Sequence, residues 1–589
     1  MKILDKINTP NDLKKLSLEE MNSLSEEIRN SILERVNTIG GHLGPDLGIV
    51  ESTIALHYVF NSPEDKIIFD VSHQCYPHKI LTGRKHGFTN PEKYHEISGY
   101  TAPEESVHDI FKVGHTSTSV SLAVGTAKAR DLKGETGNVI AVIGDGSLSG
   151  GEAYEGLNNA AVLNSNIIII VNDNEMSIAE NQGGLYTNLK LLRDTQGKAE
   201  NNFFKTLGFE YYYIDEGHNI EKLISLFKEV KDQNKPVIIH MHTIKGKGLK
   251  QAEENKEAYH WIMPGTLDNK PLDNTEIQED YNSLTTDYIL KKAEKDSSVI
   301  AISPATPGAY GFTPEFRKKL GKQYTDVGIA EEHAVAYASS LAKNGAKPIL
   351  AILSSFIQRT YDQLSQDLAL NNSPATILVY WGAITDGDAT HLGTFDIPLV
   401  SNIPNIVYLA PTCKEEYLKM LDWSVEQNNH PVAIRVPYGN FVSTGAEDTT
   451  DYSILNKFKV EEEGNEVAII GLGNFFNLGK EVKSELQEKL GINATLINPK
   501  FISGIDEDLL NALKANHKLV ITLEDGELNG GFGEKISRFY GNSEMKVLNF
   551  GSDKEFTDKV PLNELYSRYH LTKELIIKDI QNVIEKTPV

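Results

Sequence analysis

Short apolar runs alternate with helix-like segments along most of the chain. Residues 138–143 (NVIAVI) and 167–171 (IIIIV) read as buried strands. Runs of this length without internal polar alternation suit a parallel sheet covered on both faces. Between them, 151–163 reads as a helix, which makes a βαβ unit. A second block repeats the alternation, with strands at 298–302, 347–353, 375–380 and 406–409 and a helix at 331–343. A third block opens with a strand at 466–470. The polar stretch 264–280 reads as a linker, and a second, 443–450, precedes the third block. After Thr9-Pro10 the N-terminus reads as an amphipathic helix. Strand and helix alternate in every block, which predicts an α/β chain of three doubly wound domains, 1–265, 281–442 and 455–589.

Composition narrows the partners. The 589 residues carry 58 Lys and Arg against 82 Asp and Glu, a formal net charge of −24. That balance argues against nucleic acid or an anionic membrane as the main partner, while leaving room for a local cationic pocket. Two cysteines, Cys75 and Cys413, make neither a disulfide framework nor a cysteine zinc site, and they fit a reducing cytoplasm. No apolar run approaches the ~20 residues a membrane span needs. The N-terminus lacks the apolar core of a signal peptide.

The chemistry concentrates where predicted strands end. Gly144-Asp145-Gly146 follows the first strand of the βαβ unit, and Asn172-Asp173-Asn174-Glu175-Met176 follows the second. Open α/β sheets bind ligands at the carboxyl ends of their strands. Asp145 and Asn174 are hard oxygen donors that suit Mg²⁺ bridging to a phosphate. Gly114-His115-Thr116-Ser117-Thr118-Ser119 opens a helix over 120–130. It is either an anion site of free N–H groups or a cap that only starts the helix. Among the histidines, His42, His73, His78 and His260 are candidates, and His42 and His73 gain weight from flanking Gly or Pro. None has zinc-ligand spacing. Glu331 and Glu332 open an apolar helix. They either answer the helix dipole or place a buried carboxyl where it shares a proton with a ring nitrogen. Phe356 and Arg359 follow a strand and offer an aromatic platform and a cation.

Together these motifs resemble the 1-deoxy-D-xylulose-5-phosphate synthase family, thiamine-diphosphate enzymes related to transketolase. The resemblance runs over nearly the whole chain. It includes DVSHQCYPHKILTGR (70–84), VGHTSTSVSLAVGTAKARDLKG (113–134), GDGSLSGGEAYEGLNN (144–159), DVGIAEEHAV (326–335), FIQRTYDQ (356–363) and ELYSRYHLT (564–572). It implies a transketolase-like arrangement of a diphosphate-binding, a pyrimidine-binding and a C-terminal domain. It further implies a homodimer in which the first two domains of one subunit form each active site. It implies Mg²⁺ on Asp145, Asn174 and the Met176 carbonyl. Cofactor contacts would come from His73, His115, Ser117, Gly144, Gly146 and Lys245, with Asn174 sharing in the diphosphate. Glu331 would activate the aminopyrimidine and Phe356 would stack on it. His42, His73, His260 and His391 would line the substrate end. The implied reaction decarboxylates pyruvate and joins the two-carbon unit to an aldehyde, glyceraldehyde 3-phosphate in the family, in isoprene and thiamine biosynthesis.

Three positions depart from that family at the acceptor phosphate. Tyr380 stands where its DRAG arginine lies, Tyr438 where its PRGN arginine lies, and Leu353 where a tyrosine precedes its STF stretch. Arg359 remains. A hydrogen bond to a charged group is worth ~1.5–3 kcal/mol. Losing two arginines therefore costs about 3–6 kcal/mol, roughly two to four decades in acceptor affinity. Arg359, Tyr380 and Tyr438 are thus the candidate acceptor residues, and the aromatics suit an unphosphorylated aldehyde. One of Asp386 and Asp388 takes the place of a single family aspartate, and the segment between Leu185 and Phe203 is shorter than the family's. Competing readings are a transketolase-like ketol transferase and a non-catalytic paralogue; intact Asp145, Asn174 and Glu331 speak against the latter.

Overall fold

The computed structural model describes residues 2–268, 279–439 and 442–585. Most of the 264–280 linker therefore lies outside the described residues. Packing divides the described chain into two compact units. The first takes in the residues through 268 together with Gly328–Ala330, and the second takes in the rest.

The first unit is built on five parallel strands: β1 (Lys66–Phe69), β2 (Val139–Gly144), β3 (Ile167–Asp173), β4 (Glu210–Ile214) and β5 (Pro236–His242). Their order is β1-β2-β3-β5-β4. Every residue of β3 is buried, as its unbroken apolar run predicts for a sheet covered on both faces. The helix expected at 151–163 spans Gly151–Ala160. The N-terminal helix differs from expectation. Pro10–Leu13 is a single short turn, and a second helix, Leu18–Ile39, starts afresh at Ser17. Ser17 and Glu20 form a reciprocal capping box there, which ends one helix and nucleates the next.

The second unit contains two sheets. One is wholly parallel: β6 (Val299–Ser303), β7 (Tyr324–Asp326), β8 (Lys347–Leu353), β9 (Thr376–Tyr380), β10 (Val407–Leu409) and β11 (Val432–Arg435), in the order β10-β11-β9-β8-β6-β7. The other holds β12 (Lys459–Glu462), β13 (Glu466–Gly471), β14 (Thr495–Asn498), β15 (His517–Glu527) and β16 (Lys546–Ser552). Its order is β12-β14-β13-β15-β16, and only the β12–β14 pair is antiparallel. Buried ion pairs tie the two sheets. Arg435 Nε meets Asp396 Oδ2 at 2.7 Å and its Nη1 pairs with Asp525. Lys500 Nζ lies 2.7 Å from Glu416. Among the described residues, no helix is long and apolar enough to cross a membrane.

Candidate active site

In the first unit, β2 and β3 lie side by side, with Gly144 opposite Asn172. Asp145 and Asn174 are the residues that leave the carboxyl ends of this pair. Asp145 is 1% exposed, and its Oδ2 accepts from Asn181 Nδ2 at 2.6 Å. Burial, reinforced by the charge of Asp173, pushes its pKa up to about 7. A buried carboxylate in this state favours a proton or a cation. The Asn174 Oδ1 is buried and accepts no hydrogen bond. Such an orphan is rare and calls for a partner. An aspartate and an asparagine oxygen are the donor set of a hard cation, so these residues fit Mg²⁺. Lys245 is 2% exposed, with Nζ 2.5 Å from the Ser177 carbonyl; burial draws its pKa down to about 7. Met176 forms an isolated bridge with Glu180. A Cβ at Gly144 would meet nothing within 4 Å, whereas one at Gly146 would lie 2.8 Å from Ser177 Oγ. Gly144 thus leaves open space beside Asp145, and a side chain at Gly146 would crowd Ser177.

In the 114–119 segment two backbone donors are already engaged. The N–H groups of Ser117 and Ser119 already donate to the two oxygens of Asp70, at 2.8 and 2.9 Å. The Ser117 hydroxyl donates to the Ser147 carbonyl at 2.8 Å. Asp70 thus braces the loop that leads into the helix Ser119–Leu132. His115 is partly buried just before it.

Three of the candidate histidines form a cluster. The rings of His42, His73 and His260 lie 5.0–5.5 Å apart, and Tyr100 closes one side at 5.9 Å from His42. A two-stranded pairing of Gly41–His42 with Trp261–Ile262 brings the first and last together. Burial and neighbouring positive groups hold His260 well below the usual histidine range, so its imidazole is neutral. His78 stands apart. It is buried between Asp109 (2.8 Å) and His57 (2.9 Å), with Arg84 on the far side of Asp109, which is a structural role.

In the second unit, Glu331 begins the helix Glu331–Lys343 and is 3% exposed. Burial raises its pKa to about 7, against the pull of the Arg359 guanidinium at 3.9 Å. Its Oε2 makes no hydrogen bond. Phe356 and Arg359 sit on the turn that follows β8, and the Phe356 ring meets His391 edge-on at 5.6 Å. His391 is held neutral by burial, with a pKa near 4, and its Nδ1 lies 2.7 Å from Thr390 Oγ1. Asp388 caps this turn through the Thr390 N–H and hydroxyl, while Asp386 is exposed. Asp388 thus shapes the turn that carries His391.

Tyr380 is buried in the core of the second unit. It is 2% exposed, its hydroxyl donates to Thr285 at 3.0 Å and its ring packs on Tyr310 at 5.0 Å. Its side chain thus packs into the core cluster around Tyr310 and Tyr417. Leu353 is buried in the same core cluster. Trp381, the next residue, is 49% exposed with φ +60°, and Tyr438 is 47% exposed.

Residues 4–200 and 193–243 match the family model described as 1-deoxy-D-xylulose-5-phosphate synthase. A curated 1-deoxy-D-xylulose-5-phosphate synthase of Halothermothrix orenii is 37% identical over 99% of this chain and 98% of its own. That of Clostridium tetani is 38% identical over 99% of each chain. The chain belongs to the 1-deoxy-D-xylulose-5-phosphate synthase family. This is a family of thiamine-diphosphate-dependent transferases. Residues 279–442 match the transketolase pyrimidine-binding domain and 456–576 the transketolase C-terminal domain, which with the parallel sheets gives an α/β fold of transketolase type.

Sequence reasoning missed several residues that shape the site. Asp70 braces a helix start and Asn181 holds Asp145. Lys256 donates to the Asn174 carbonyl at 2.9 Å, and Tyr186 donates to the Asp145 carbonyl at 3.0 Å. Asp70 opens the 70–84 motif but meets Ser117 and Ser119 only in the fold, and Asn181, Tyr186 and Lys256 reach Asp145 and Asn174 from separate segments.

Proposed function

We propose that this chain is a carboligase that decarboxylates pyruvate and joins the two-carbon unit to an aldehyde lacking a phosphate. The buried, unpartnered Asn174 Oδ1 beside Asp145 carries the cofactor half of this reading. Asp145, Asn174 and the Met176 carbonyl would hold Mg²⁺. Lys245 and His115 would face the diphosphate, with Ser117 orienting the loop through Ser147. Thiamine diphosphate, when bound, supplies the electron sink for decarboxylation. Glu331, protonated near neutrality by its burial, would hold a proton against the aminopyrimidine, with Phe356 stacked on that ring. The neutral rings of His260 and His391 suit proton transfer at the substrate.

The acceptor half rests on what stands at the carboxyl ends of β8, β9 and β11. Phe356, Trp381 and Tyr438 lie there, while Arg435 is engaged by Asp396 and Asp525. Arg359 lies 3.9 Å from Glu331. This set favours a neutral aldehyde. The domains are assigned as 1–265 for diphosphate and Mg²⁺, 281–442 for the pyrimidine and 455–589 as C-terminal. A cytoplasmic homodimer fits the reading. An acceptor series with pyruvate, thiamine diphosphate and Mg²⁺ tests it. D-glyceraldehyde should serve at least as well as its 3-phosphate. A strong preference for the phosphorylated aldehyde, with a micromolar-range KM, overturns the acceptor assignment.

A further inference from the structure

Asn174 sits in a turn whose two neighbours are both acids held by one guanidinium. Arg193, near the end of the helix Gly184–Asp194, reaches Asp173 Oδ2 with Nη1 at 2.5 Å and Glu175 Oε2 with Nη2 at 3.1 Å. Its side chain is 12% exposed and that of Asp173 is fully buried. A second layer backs each acid. His240 Nε2 lies 2.8 Å from Asp173 Oδ2, and His242 Nε2 lies 3.2 Å from Glu175 Oε1. Asp173 Oδ1 also accepts the Glu175 N–H at 3.1 Å, across a backbone bend in which Glu175 has φ +66°. A non-glycine residue in that region persists only where its surroundings impose it. The fork geometry of a guanidinium can grip two carboxylates at fixed spacing, which an ammonium cannot.

We propose that Arg193 is a positioning residue for the cofactor metal. By clamping Asp173 and Glu175 it fixes the direction of the Asn174 side chain between them. The inference rests on the reading that Asn174 ligates Mg²⁺. Groups that orient metal ligands from outside commonly change metal affinity by ~10–100-fold when removed.

The test is calorimetric titration of the apo full-length chain with thiamine diphosphate at several Mg²⁺ concentrations, with the unfolding temperature measured in parallel. Arg193→Gln should weaken Mg²⁺-dependent cofactor binding by ~10–100-fold. Arg193→Lys should fall between it and wild type, because it keeps the buried pair and loses the fork. Glu175→Gln, at a half-exposed site, should weaken binding several-fold with little change in unfolding temperature. If Arg193→Gln does not fold, Arg193→Lys and Glu175→Gln decide the matter. Wild-type affinity at every Mg²⁺ concentration in the folded variants overturns the clamp, even where the unfolding temperature falls. Absence of Mg²⁺-dependent binding in wild type, or unchanged binding in Asn174→Ala, overturns instead the metal reading beneath it.

Discussion

Glu331→Gln separates the burial of this carboxyl from its chemistry. The side chain is almost fully enclosed, and its pKa rises from 4.5 to about 7 because burial outweighs the Arg359 charge 3.9 Å away. Each pKa unit is ~1.4 kcal/mol of differential interaction, so ionisation in the folded state costs about 3 kcal/mol. A carboxyl with a raised folded pKa contributes stability that is fully present below its unfolded pKa of 4.5 and is lost as pH rises through 7. Between pH ~5.5 and ~8.5 wild type should lose about 2 kcal/mol from this group, and the amide, which cannot ionise, should lose none. Unfolding of the apo protein, followed by calorimetry at both pH values, should show the Gln variant gaining on wild type by a few degrees at the higher pH. The same variant should retain cofactor binding yet lose roughly 10²–10⁴ in kcat, the usual contribution of a placed acid or base. A pH-independent offset in unfolding temperature, or a kcat within about tenfold of wild type, refutes the argument.

Other substitutions probe the remaining parts. Asn174→Ala should abolish the Mg²⁺ dependence of thiamine diphosphate binding, read by titration, with little change in fold because the lost oxygen has no protein partner. Gly150→Ala should lower the unfolding temperature by the equivalent of ~1–3 kcal/mol, because its Cβ would lie 2.1 Å from Ser117 Oγ and 2.6 Å from Ser117 Cβ. Ser117→Gly should rescue it and Ser117→Ala should not, since the alanine Cβ still clashes. Tyr438→Arg, at an exposed position, should lower KM for a phosphorylated aldehyde by about one to two decades in steady-state assays and leave that for an unphosphorylated one nearly unchanged.

The legible parts were those encoded locally. The unbroken apolar runs of β2 and β3 announce a sheet covered on both faces, and the polar residues after them fall at its carboxyl edge. Glu331 was legible as a helix start, although its burial was not. The same apolar continuity hid the direction of Tyr380. In β9 every residue is buried on either face, so period-two alternation carries no sign of which side chains point to a ligand. Asp70 and the 114–119 loop pair across a long sequence separation, and a cluster of Ser and Thr looks the same whether a phosphate or a carboxylate fills it. Arg193 had no motif at all, only a place in a shortened segment.

The measurement that bears most directly on the account follows carbon dioxide released from carboxyl-labelled pyruvate by the purified full-length chain, with and without D-glyceraldehyde. Release should require thiamine diphosphate and Mg²⁺ together, should rise when the aldehyde is added, and should match the amount of two-carbon-extended ketose formed. No release from pyruvate, with ketose formed only from a ketose donor, would contradict it.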